Sequence, residues 1–156
     1  MNIFVLSLDP AEAARMQCDK HVVKMIVETA QILCTAGRGV YRPTHANHPC
    51  TVWAGQSADN FKWLIRHGLA LCEEYTFRYG KRHKTQDVLA LVEPPASFPV
   101  VGLTPFAQAM PEELRSNDVV ASYRAYYHTK ASFARWTRRD PPEWWNASLL
   151  TSDSSA

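Results

Sequence analysis

The stretch Cys18–Gln31, CDKHVVKMIVETAQ, decides how the rest of the chain reads. Val22, Val23, Ile26, Ala30 and, just beyond it, Leu33 recur at helical spacing, and no glycine or proline interrupts them. His21, Lys24, Glu28 and Gln31 stand at i, i+3, i+7 and i+10, which puts four polar groups on one face of that helix. His21 and Glu28 point the same way, roughly 10.5 Å apart along the axis. One reading makes this a solvated face with a Lys24–Glu28 pair contributing about 0.2–0.5 kcal/mol. The other makes it a row of groups aimed at a ligand.

Outward from this helix the chain continues to read as helical. Asn2–Leu8 (NIFVLSL) is apolar and β-prone, a short extended arm. Asp9 is an N-cap, Pro10 fills the first helical position and Glu12 stands three residues after the cap. The helix so begun either runs on or breaks near Asp19 and restarts, and it ends at Gly37-x-Gly39. After the loop VYRPTHANHPC, Thr51 is expected to cap a long helix closed by Gly80, with Gly55 and Gly68 as weak points. KRHK leads to a short helix, TQDVLALV. Glu93–Pro111 holds five prolines in nineteen residues, too many for a long helix, yet its apolar residues suit a segment lying on the core. A last helix, SNDVVASYRAYYHTKASFARW, starts at Asn117 or Asp118, and the chain ends in a polar tail. The expectation is an all-α, compact single-domain helical bundle over residues 1–150, with a frayed tail at 151–156.

The 156 residues are 46% hydrophobic and 21% charged, enough to bury a core without disulfides or metal. Three of the four cysteines, Cys18, Cys34, Cys50 and Cys72, fall in helical segments. No secretory signal precedes them, so reduced thiols in a cytosolic protein are expected. No run of about 18 apolar residues provides a membrane span. Phosphate-binding glycine loops and dinucleotide fingerprints are absent, so nucleotide triphosphate or NAD chemistry is not indicated.

A net charge of +2 is small, but its distribution is uneven. Cationic and aromatic residues interleave at Arg38, Tyr41, Arg42, His45 and His48, and again from Tyr75 through Arg78, Lys81, Arg82 and Lys84. They do so a third time from Tyr123 through Lys130, Trp136, Arg138 and Arg139. Such clusters neutralise phosphates and stack on exposed bases, so contact with nucleic acid is expected. Lys24, Arg38, Arg42, Arg78, Lys81, Arg82, Lys84, Lys130, Arg138 and Arg139 are the candidate DNA-binding residues.

The segment DKHVVKMIVE resembles the helix of the phage endonuclease V type pyrimidine-dimer DNA glycosylases, which carries a D-Q-H-(six residues)-E pattern. Asp19, His21 and Glu28 match it position by position. HPCT, CEEYTFRYGKRH and the closing segment with Tyr126, Tyr127 and Trp136 are similar, more weakly, to later parts of that family. The chain also resembles small phage proteins of unassigned activity with CDKHV and TPFAQAMP segments. The resemblance implies a small all-α enzyme, without a cofactor, that flips a nucleotide from double-stranded DNA and breaks its glycosidic bond as a monomer. For a phage protein, it implies the cytoplasm of the host. It makes Glu28 catalytic, with His21 orienting it or contacting phosphate. The family attacks C1′ with the α-amine of a threonine exposed by methionine removal. Here position 2 is Asn, too large for efficient removal, so the α-amine of Met1 is the candidate nucleophile.

Two other readings fit the same residues. Cys18 and His21, with His45, His48 and Cys50 from the next loop, could hold Zn²⁺. A DNA-binding or thymine-modifying phage protein could also use the same scaffold without glycosylase activity.

Overall fold

The computed structural model describes residues 1–145. Helices α1 (Pro10–Met16), α2 (Asp19–Gly37), α3 (Pro49–Ala54), α4 (Ala58–Tyr79), α5 (Gln86–Leu91) and α6 (Val119–His128) follow one another, with a 3₁₀ turn at Glu112–Leu114 before α6. No strand occurs among the described residues, and no helix of theirs is long and apolar enough to cross a membrane. The polar tail at 151–156 lies outside the described residues.

Local chemistry sets most boundaries. Asp9 caps α1, its carboxylate accepting from the amides of Ala11 and Glu12, and Pro10 sits where no amide is needed. The chain does break before Asp19. The Cys18 amide donates to the Tyr127 hydroxyl at 2.7 Å instead of continuing α1, and Cys18 takes an extended conformation ahead of α2. Arg38, rather than a glycine, adopts the left-handed turn that ends α2, with φ 60°. Gly39 is required beside it, because a Cβ there would lie 2.3 Å from Cys34 Sγ.

Two expected helices are shorter than the sequence suggested. The long helix does not begin at Thr51, which is buried inside α3; His48 caps α3, its Nδ1 accepting from the Cys50 amide. The chain pauses at Gly55, then Ser57 caps α4 by accepting from the Asn60 amide. The last helix stops at His128, well short of Trp136.

The core forms around α4, which packs against α1, α2, α3 and α5. Gly68 lets α2 and α5 approach it, since a Cβ there would come 3.0 Å from Thr29 Cγ2 and 3.1 Å from Leu89. Trp53, Phe61, Leu64 and Leu71 fill the interior. The proline-rich segment lies on this core: Asn60 bonds Thr104 through both its amide groups, and Phe106 stacks on Trp53 at 4.9 Å.

The N-terminal segment is a buried wedge. Asn2, Ile3, Phe4, Val5 and Leu6 are all buried, and the backbone bends at Phe4, where φ is 38°. A non-glycine residue there costs about 1–3 kcal/mol. The Phe4 ring offsets this by stacking on His21 at 4.4 Å and meeting Tyr127 edge-on. That wedge carries the first residue of the chain to the middle of α2.

Candidate active site

The Met1 α-nitrogen lies 3.5 Å from Oε1 of Glu28. Both groups are largely enclosed, at 4% and 16% side-chain exposure, and Glu28 Oε2 is buried with no hydrogen-bond partner. One carboxylate oxygen therefore holds the amine while the other is left for something else. Thr51 Oγ1 approaches Met1 Sδ at 3.9 Å, which seats the methionine side chain against α3. His48 lies close enough for the amine to act on it. Burial lowers its imidazole below the usual range, the amine and His45 lower it further, and Glu28 opposes them.

The polar row on α2 divides into three environments. His21 is buried, its Nδ1 2.9 Å from the Tyr127 hydroxyl. Burial pushes its imidazole down to about 4, helped by Lys130, Lys24 and Lys20. His21, expected to orient Glu28 or touch phosphate, packs between Phe4 and Tyr127. Lys24 is exposed, and the partner of Glu28 is the amine rather than Lys24. Gln31, one turn beyond Glu28, lines a groove of about 500 Å³ with Val27, Tyr41, Arg42, Pro43 and Thr44.

The candidate cationic residues also separate. Lys24 and Lys130 share the His21 side of this face with Lys20, which the sequence reading passed over. Lys20 and Lys130 lie over the Phe133 and Tyr126 rings at 4.5 and 4.1 Å. Arg42 borders the groove on the other side of Glu28, and Arg38, Lys81 and Lys84 are exposed. Arg78, expected to contact DNA, is enclosed. Its fully buried guanidinium bonds Glu74, Asp19 and the Arg15 carbonyl, so it cannot meet a phosphate without unfolding that network. Arg139 clamps the same Glu74 with two bonds, at 2.6 and 2.8 Å. Arg138 and Arg139 lie over the Phe77 ring, and Arg82 pairs with Asp87 at the surface. Asp19 also serves this network. Burial alone would raise its carboxyl, but bonds from Thr137 and the Arg78 guanidinium outweigh that and lower it.

The zinc reading finds no cage. Among the described residues no group of three or more His, Cys, Asp or Glu side chains is placed to hold a metal ion. Cys18 and Cys50 are buried free thiols, and burial pushes the Cys50 thiol up to about 12, far from a ready thiolate ligand. His48 spends its Nδ1 lone pair on the Cys50 amide.

An α-amine held against a largely enclosed carboxylate can form a covalent imine with a sugar carbon while the carboxylate stabilises positive charge. The family model for pyrimidine dimer DNA glycosylase matches residues 1–87, over half of the 156-residue chain. The chain belongs to the pyrimidine dimer DNA glycosylase family. The family acts in DNA repair, and its substrate is DNA. Neither the curated proteins nor the solved structures compared with this chain include a match.

Met1, Glu28 and His48 all lie within the glycosylase match, whereas Tyr127, Ala109 and Lys130 lie beyond it. His48 was missed as a neighbour of the amine, although a histidine before Pro-Cys is a helix-cap signal. Its approach to Met1 depends on how the wedge folds back onto α3.

Proposed function

We propose that this protein breaks the N-glycosidic bond of a damaged or modified pyrimidine nucleotide in double-stranded DNA, with the Met1 α-amine as nucleophile. The observation that carries the reading is the 3.5 Å approach of that amine to Glu28 Oε1. In the reacting state the amine is uncharged. Its lone pair forms a bond to C1′ as the C1′–N bond breaks, and the departing base takes the electron pair and the proton that the attacking amine gives up. Glu28 sits where positive charge develops on the sugar, and its unpartnered Oε2 is free to bond a sugar or amine proton. Opening of the sugar ring converts the adduct to a protonated imine between Met1 and C1′. Loss of a C2′ proton then expels the 3′ phosphate and nicks the strand.

C1′ is shielded inside a stacked duplex, so a nucleotide leaves the stack before reaction. We place the displaced nucleotide at the groove lined by Gln31, Tyr41 and Arg42, one helical turn from Glu28. Lys20, Lys24 and Lys130 on one side and Arg42 on the other would hold the backbone, with Arg38, Lys81, Lys84 and Arg138 further out. The protein would act as a monomer without a cofactor, as one domain spanning 1–150, in the cytoplasm of a host cell. Four free, buried thiols are compatible with that compartment. The test is incubation of the purified protein with ultraviolet-irradiated and untreated supercoiled plasmid. Nicking confined to irradiated DNA is expected; equal nicking of both, or of neither, overturns the reading.

A further inference from the structure

We infer that Asn2 is the positioning residue that aims the Met1 amine, and that the second half of the chain, outside the family match, provides its anchor. Asn2 is 6% exposed. Its Oδ1 accepts from the amides of Ile3 and Phe4 at 2.8 and 3.1 Å, and its Nδ2 donates to the Ala109 carbonyl at 2.8 Å. The first pair folds the side chain over its own backbone and sets the bend that enters Phe4 at φ 38°. The third bond ties that bend to a segment more than a hundred residues away.

The anchor is itself fixed. Tyr123, fully buried on α6, donates its hydroxyl proton to the Ala107 carbonyl at 2.7 Å, and the same oxygen accepts from the Ala109 amide at 3.2 Å. A continuous chain of bonds thus runs from α6 through Ala107–Ala109 and Asn2 to the residue bearing the amine. The Met1 side chain lies beside Thr51, and the amine faces Glu28. An N-terminal residue has no preceding peptide to hold it, so its amine would otherwise sweep a wide arc. A displacement of about 1 Å at a reacting group can lower a rate about 100-fold. Asparagine suits the position because it supplies two acceptor lone pairs and a donor at one short reach. Its size also disfavours removal of the methionine, in keeping with an amine carried by Met1.

The inference rests on the proposed role of Met1, and borohydride trapping of the imine on DNA holding an abasic site separates the two. Asn2→Leu keeps the branched shape and a large second residue but loses all three bonds; intact mass confirms that Met1 remains. Trapping at saturating DNA is expected to slow about 10- to 100-fold, with DNA affinity within about two-fold and a displaced midpoint in the pH–rate profile. Tyr123→Phe, which releases Ala107–Ala109 while preserving the ring, is expected to slow trapping in the same sense by less. If Asn2→Leu does not fold, Tyr123→Phe alone decides. Parent-like trapping and pH profile in every folded variant overturn the role of Asn2. A parent that gives no trapped adduct overturns instead the role of Met1.

Discussion

Oε1 of Glu28 pairs with the Met1 α-nitrogen across 3.5 Å, joining the first residue of the chain to the tenth residue of α2. The pair answers why a helix that buries Val22, Met25, Ile26 and Ala30 keeps a carboxylate in its middle turn. Isolated, such a group would be costly to enclose; here it meets a cation delivered by the buried wedge. The same geometry determines what should happen when either partner changes.

Glu28→Gln preserves shape and removes charge. Turnover on irradiated DNA is expected to fall about 100- to 1,000-fold while affinity stays near that of the parent. Single-turnover kinetics and filter binding check this; parent-like cleavage would reduce Glu28 to a surface carboxylate.

Blocking the amine tests the other partner. Acetylation of the N-terminus, or one extra residue ahead of Met1, should abolish the borohydride-trapped adduct and leave the helical circular dichroism spectrum unchanged. An adduct of undiminished yield would place the nucleophile on a lysine, and peptide mapping would identify it.

Acid should destabilise the protein well above the carboxylate range. His21 and His67 are both buried, and burial lowers each imidazole to about 4; for His67 the bond to the Pro10 carbonyl only partly opposes it. A group depressed on folding contributes stability that is present above its unfolded value of 6.5 and is lost as pH falls through about 4. Each is worth on the order of 3 kcal/mol across that window. Urea midpoints measured from pH 7 to 4 should fall steadily, and His21→Phe should flatten part of the slope.

Salt dependence should distinguish the cations that face DNA from those that hold the fold. Each alanine at Lys20, Lys24 or Lys130 is expected to reduce the log–log salt slope of DNA affinity by about 0.9 without changing the melting temperature. Unaltered slopes in all three would move the DNA footprint to another face.

Arg78→Met should act in the opposite way. It strands Glu74, 3% exposed, with only the Arg139 clamp, and removes the Arg15 and Asp19 contacts. Unfolding free energy should drop by about 3–5 kcal/mol, measured by urea titration. A stable variant with weakened DNA binding would restore Arg78 to the interface.

The sequence by itself determined the helical class, because capping residues such as Asp9 and the apolar spacing along Cys18–Leu33 are local signals. It also determined that Glu28 matched a catalytic pattern. Helix ends were less legible where a distant group competes for the backbone: the Tyr127 hydroxyl takes the Cys18 amide and separates α1 from α2. Gly55 and Ser57 show the same limit locally, since a continuous helix from Thr51 and a broken one share nearly the same apolar pattern. Among the cations, spacing could not tell Arg78 from Lys24. Both lie on helices, but only the packing of α4 against α1 and the start of α2 encloses one of them with two carboxylates. The pairing of Met1 with Glu28 was decided by tertiary structure alone. It requires the N-terminal wedge to turn inward at Phe4 and to be held by Ala109, contacts between residues far apart in the chain whose geometry no local pattern encodes.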